Sequence, residues 1–122
     1  MKHKEFSETL LKVYSKETSS IPDKWDKTNP ALGHCAIVAL AAQDVFGGRI
    51  LRSSLEGSKD YSYMKSHYWN KLPDGDEVDF TESQFQGDKP EFFEVSERTR
   101  QEILATPNTK NRYELLKAKL SN

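Results

Sequence analysis

Apolar positions along the chain fall into blocks whose spacing changes from helical to strand-like and back. Phe6, Leu10, Val13 and Tyr14, with Leu11 beside them, recur at steps of three and four. Residues from about Lys4 to Lys16 are therefore predicted to form an amphipathic first helix that packs by one face. The next stretch, ETSSIPDKWDKTNPALG, carries two prolines, a glycine and many small polar residues. It reads as an irregular connection that Trp25 anchors to the core. From about His34 to Phe46 the chain is apolar almost all round, through Ala36 to Ala42, Val45 and Phe46, which marks a helix buried on most sides. Gly47-Gly48 ends it, since glycine accepts the left-handed conformation after a helix without a Cβ penalty.

Three strands are predicted next, over Arg49 to Leu55, Tyr63 to Leu72 and Asp76 to Glu82. Pro73-Asp74-Gly75 is a turn signal that makes the last two an antiparallel hairpin. The segment QGDKPEFFEVS reads as loop with a short extended piece around Phe92 to Val95. Ser96 is expected to cap a helix running to about Ala105, Pro107 to prevent its continuation, and Thr109 to cap a last helix carrying Tyr113, Leu116 and Leu120. The order of elements predicts an α+β domain, in which a buried helix packs on a small antiparallel sheet between N- and C-terminal helices.

A length of 122 residues suits one domain spanning residues 1–122. Eighteen Lys and Arg against nineteen Asp and Glu leave a net charge of −1, with no basic run that could shed phosphate counterions, so nucleic acid is not expected as a partner. The apolar run from Ala36 to Ala42 is far short of the ~20 residues that cross a bilayer. The N-terminus is charged and amphipathic rather than a signal peptide, which leads to the expectation of a cytoplasmic protein without a membrane partner. The lone cysteine cannot form an internal disulfide, in keeping with a reducing compartment. Neither GxGxxG nor GxxxxGK[ST] occurs, and no cofactor is expected.

That cysteine, Cys35, stands at the head of the buried helix, where the positive helix end and a nearby imidazolium would favour a thiolate. The placement works if the helix starts near His34. A start at Pro30 would put the sulfur in the second turn and lose most of the effect. Gly33 lets the backbone turn sharply and a substrate approach. His67, on a predicted strand, is the candidate base, and Asp79, on the next, the group that orients it. A three-residue loop Pro73-Asp74-Gly75, with Gly75 left-handed, opposes Leu72 to Asp76 and Trp69 to Asp79. His67 and Asp79 then become diagonal neighbours on one face. A loop of two or four residues would put the carboxylate on the other face. Under the three-residue register Tyr68, Asn70 and Leu72 share the opposite face with Val78 and Phe80, ready to be covered by helices.

The order Cys, His, Asp, with the cysteine opening a buried helix, resembles the papain-like fold in its broad sense, including its transglutaminase-like members. HYWNKLPDGDEVDFT is similar to the transglutaminase-like pattern through His67, Trp69, Gly75, Asp79 and Thr81. Nearly the whole chain resembles the small bacterial YunG-like family, through Asn29-Pro30, Gly33, Cys35, Gly47-Gly48, His67 to Asn70, Asp74-Gly75, Val78-Asp79, Thr81, Gln84-Phe85 and Arg112 to Leu116. The first resemblance implies a thiol hydrolase or acyltransferase acting on an amide, ester or thioester carbonyl of a small molecule, peptide or protein. Cys35 would be its nucleophile, His67 its base and Asp79 the orienting carboxylate. Papain-like enzymes carry a glutamine before the cysteine as an oxyanion donor. Here Asn29 is the candidate, with Gln43 and Gln84 ranked below it. Trp69 is either a packed aromatic, whose indole N–H then needs a partner, or a substrate platform.

The bland alternative is a binding or regulatory domain with Cys35 buried as a structural residue. A zinc site from His34, Cys35, His67 and Asp79 is chemically admissible, but the adjacent His34 and Cys35 point different ways and neither CxxC nor HExxH occurs, so no metal is expected. Oligomeric state is left open.

Overall fold

The structure, a computed structural model, describes residues 1–121. Four helices and a four-stranded antiparallel sheet make an α+β architecture among them. The chain runs α1 (His3–Val13), α2 (Cys35–Phe46), β1 (Arg49–Ser54), β2 (Ser66–Lys71), β3 (Glu77–Val78), β4 (Phe93–Arg98), α3 (Arg100–Leu104) and α4 (Pro107–Leu120). The sheet is open, with strand order β3-β2-β1-β4.

Helix α2 is the centre of the core. Its residues Ile37 to Ala42 are all buried, and they pack with Phe6 and Leu10 of α1, Ile50 of β1, Ile103 of α3, and Tyr113 and Leu116 of α4. The alanines keep the helix slim enough to lie close against the sheet, which is why an unbroken apolar run becomes a central helix here rather than a strand. Asn70 of β2 is buried on the same side and donates from Nδ2 to the Ala39 carbonyl at 2.9 Å. Tyr68 and Phe80 also join this core, as the predicted face assignment requires. On the other side of the sheet a second cluster forms from Leu55, Tyr61 and Phe85, flanked by Met64 and Phe92.

The hairpin register is as predicted. Asn70 opposes Val78 and Lys71 opposes Glu77, the Leu72 amide donates to the Asp76 carbonyl at 2.8 Å, and Gly75 has φ +94°. Other expectations need correction. The predicted third strand, Asp76 to Glu82, shrinks to the two residues of β3, because beyond Val78 the chain turns: the Thr81 amide donates to the Asp79 side chain at 3.1 Å instead of to a strand. β2 starts at Ser66 because Ser62–Met64 form a 3₁₀ turn. The piece around Phe92 to Val95 is a full strand, β4, running through Ser96 to Arg98. The following helix is capped by Thr99, whose hydroxyl accepts from the Glu102 amide at 3.2 Å. Pro107 opens α4 rather than merely ending α3, with Thr106 rather than Thr109 at the cap position; a missing N–H costs nothing in a first turn.

Candidate active site

Helix α2 begins at Cys35, with His34 as the residue before it. The break is enforced at Gly33, which has φ +77°. A Cβ there would stand 2.3 Å from the Ser19 hydroxyl and 2.9 Å from the Ser20 amide nitrogen, so only glycine lets this loop close. As the first helical residue, Cys35 brings an amide of the unsatisfied first turn and sits at the positive end of the helix.

The sulfur lies against β2 where β3 has stopped pairing with it. The register ends at Asn70 opposite Val78, so the backbone from Ser66 to Tyr68 has no strand on that side. Cys35 takes the vacant lane: its thiol approaches the Ser66 carbonyl at 3.9 Å, in the neighbourhood of the Tyr68 amide and the His67 imidazole, both of which favour its ionised form. The shortness of β3 thus lets a residue from the helical side of the sheet reach the unpaired backbone of β2 next to His67.

His67 is fully buried. Its ring stacks on Trp69 at 5.7 Å and on Phe92 at 5.2 Å, and Phe85 meets it edge-on at 4.8 Å. Nε2 donates to Asp79 Oδ2 at 2.6 Å. Because a carboxylate only accepts, the hydrogen belongs on Nε2, which leaves Nδ1 as the basic nitrogen. Asp79 is fixed in turn, its Oδ1 accepting from the Thr81 amide at 3.1 Å and the Thr81 hydroxyl at 3.3 Å. Burial pushes the imidazole down, but its hydrogen bonds to Asp79 and Cys35 and the charges of both groups outweigh that and raise it to about 9. Burial likewise pushes the Cys35 thiol up, yet the hydrogen bond and charge of His67, helped by the Tyr68 amide, hold it below the ordinary thiol value. The two shifts favour thiolate and imidazolium together.

Gln84 is buried beside the pair, with Nε2 3.3 Å from His67 Nδ1 and 3.3 Å from the Thr81 hydroxyl. Its Oε1 accepts from the Gly33 amide at 3.2 Å, which fixes which end of the amide faces the ring. Ranked low from sequence, Gln84 is the side-chain amide that reaches the imidazole. Asn29 instead donates to the Gln84 carbonyl at 3.0 Å and steadies that turn. Trp69 is 6% exposed and its indole N–H donates to Glu77 Oε1 at 2.7 Å. It packs on the imidazole and does not line the cavity over Cys35.

His34 lies fully buried. Nδ1 donates to the Leu32 carbonyl at 3.0 Å, so Nε2 accepts from the Thr18 hydroxyl at 2.6 Å. Burial drives this ring down to about 4, and it stays neutral. Among the described residues no group of three or more His, Cys, Asp and Glu is placed to hold a metal ion, and no helix is long and apolar enough to cross a membrane.

A cavity of about 490 Å³ opens over Cys35, bounded among others by Gly33, Tyr68, Lys65 and Arg112. Cys35 is half-buried on its wall.

The family model described as YunG protein matches residues 2–122. The chain belongs to the YunG family. It is 35% identical over 77 residues to a protein of Bacillus subtilis (strain 168) described as "Uncharacterized protein YunG", an alignment covering 63% of this chain and 57% of that protein. The chain thus spans little more than half of that YunG relative. No solved structure matches it.

Proposed function

We propose that the protein is a thiol-dependent hydrolase or acyltransferase of the papain-like or transglutaminase-like class, acting on an amide, ester or thioester. What supports this reading is the His67–Asp79 hydrogen bond at 2.6 Å on the strand whose Ser66 carbonyl the Cys35 thiol approaches at 3.9 Å, with Cys35 at the head of α2 and on the wall of a cavity.

The Cys35 thiolate attacks the carbonyl carbon, a C–S bond forms, and the carbonyl electrons move to oxygen. The Cys35 amide, at the positive end of α2, is the backbone donor available to that oxyanion. When the tetrahedral species collapses, the leaving amine, alcohol or thiol takes the proton from His67 Nδ1, and an acyl thioester remains on Cys35. A water or a second acceptor then gives its proton to Nδ1, attacks the thioester and expels the thiolate. Asp79 holds Nε2 throughout and stabilises the imidazolium. Gln84 follows the proton: its NH₂ can donate to Nδ1 only when that nitrogen is bare, and otherwise turns to the Thr81 hydroxyl.

The test is trapping of the acyl-enzyme. The protein is incubated with activated acyl esters and thioesters and its intact mass read after rapid acid quench. An acyl adduct on Cys35, absent in Cys35→Ala and slowed in His67→Ala, is the expected result. Failure of every activated acyl donor to modify the folded protein favours the binding domain with a structural cysteine instead.

A further inference from the structure

The sequence motif Arg112 to Leu116 plays no part in the reaction as derived, yet its arginine stands on the wall of the same cavity as the thiol. Arg112 is 8% exposed. Its Nε donates to Asn108 Oδ1 at 2.8 Å, one terminal nitrogen to the Thr18 and Gly33 carbonyls at 3.2 and 3.4 Å, and the other to the Thr109 hydroxyl at 3.4 Å. These partners are all neutral. Among the described residues no carboxylate forms an ion pair with this guanidinium. A buried cation without a paired carboxylate is costly, and burial pushes it below the ordinary guanidinium value although the charge of the Cys35 thiolate across the cavity acts the other way. Five N–H donors against four bonds leave one hydrogen unspent on the second terminal nitrogen.

A second cation borders the cavity at Lys65, directly before the Ser66 carbonyl that touches the thiol. It is exposed and holds φ +68°, an uncommon conformation for a residue other than glycine. The acid on this cavity, Glu102, is already engaged by Arg98 at 3.3 Å.

We infer that the cavity selects acyl substrates bearing a carboxylate, which Arg112 binds as the carboxylate partner it lacks within the protein, with Lys65 on the same cavity supplementing the field. This rests on Cys35 being the nucleophile, and deepens that reading by naming the substrate class. A guanidinium fixed by four neutral partners is pre-organised: it has little freedom to lose when an anion arrives, and its low-dielectric surroundings strengthen the attraction.

The test compares alkylation of Cys35 by iodoacetate and by iodoacetamide, which share size and chemistry and differ in the carboxylate. Both consume the same thiolate, so any change in the thiol's titration cancels in the ratio of their rates. The ratio is measured at one pH and low salt in the unaltered protein, in Arg112→Gln, and in Lys65→Asn, where asparagine tolerates the positive φ. The expected result is a fall in the iodoacetate-to-iodoacetamide ratio of roughly tenfold for Arg112→Gln and about threefold for Lys65→Asn. Should Arg112→Gln fail to fold, Lys65→Asn decides. A ratio unchanged in every folded variant overturns the carboxylate site while leaving the nucleophile intact. If neither reagent labels the folded unaltered protein, the nucleophile reading fails and the carboxylate site falls with it.

Discussion

Two histidines flank Cys35, one next to it in the chain and one across the sheet, and both are completely buried. They end in opposite states. His34 meets a hydroxyl and a carbonyl and is driven down to about 4, whereas His67 meets a carboxylate and a thiol and is raised to about 9. Burial penalises the charged ring in both places. What separates them is whether an anion lies within hydrogen-bonding distance. The difference teaches that the histidine beside the cysteine belongs to the scaffold, whereas the distant one carries the charge that the proposed chemistry needs.

The largest effect is expected from removing the charged member. His67→Ala should slow acylation of Cys35 by roughly 10²–10⁴-fold, read by the same adduct assay, while His34→Gln should act mainly on stability. A similar loss of rate in a folded His34→Gln variant would break the contrast.

Acidification attacks the neutral member. A group whose folded value is depressed binds fewer protons in the native state than in the unfolded one between the two values. Stability therefore falls as pH drops from about 6.5 towards about 4, by roughly 3 kcal/mol for His34 alone. Denaturant titrations of the unaltered protein and of His34→Gln across this range measure it. The Cys35 thiolate adds a loss of the same sign as pH falls towards its folded value.

Gly33 joins the two neighbourhoods, since its amide donates to Gln84 beside His67 and its carbonyl accepts from the Ser20 amide, in the loop that holds Thr18 over His34. Gly33→Ala should cost up to about 3 kcal/mol, read by urea unfolding, because the added methyl has no room at Ser19. Thr18→Val should cost less, about 1–2 kcal/mol, by leaving His34 Nε2 buried without its donor.

The smallest effect is a cancellation. His67, raised, binds an extra proton in the native state above about 6.5, while Cys35, lowered, has released one above its own folded value. The ion pair holds as many protons as the unfolded thiol and neutral ring, so once the folded thiol has ionised stability should stay nearly flat up to about pH 8.5. Above that the unfolded thiol ionises too, and the stabilisation from His67 is lost as pH passes about 9. In Cys35→Ala the cancellation disappears, and stability should decline with rising pH inside the plateau.

Much of this was legible where the determining signal is local. Gly33 before Cys35 set the helix start, and the Pro73-Asp74-Gly75 turn fixed by parity which side chains share a face. The cap at Thr99 was also legible: Thr99 and Glu102 stand in the T-x-x-E spacing of a capping box, a signal that Ser96 obscured. The early end of β3 was not, because it depends on the Asp79 carboxylate capturing the Thr81 amide while it engages His67. Nor were Gln84 and Arg112, whose partners lie 51 and 94 residues away in the chain. The burial of His34 was not legible either, because nothing near it in sequence announces Thr18 as its partner.

The direct test of the central claim is the titration of Cys35 itself, followed by the ultraviolet absorbance of the thiolate in the folded protein and in His67→Ala. A thiol that ionises well below its ordinary value, and moves upward when the imidazole is removed, is the predicted outcome. A thiol that titrates at or above its ordinary value and ignores the loss of His67 would contradict the account.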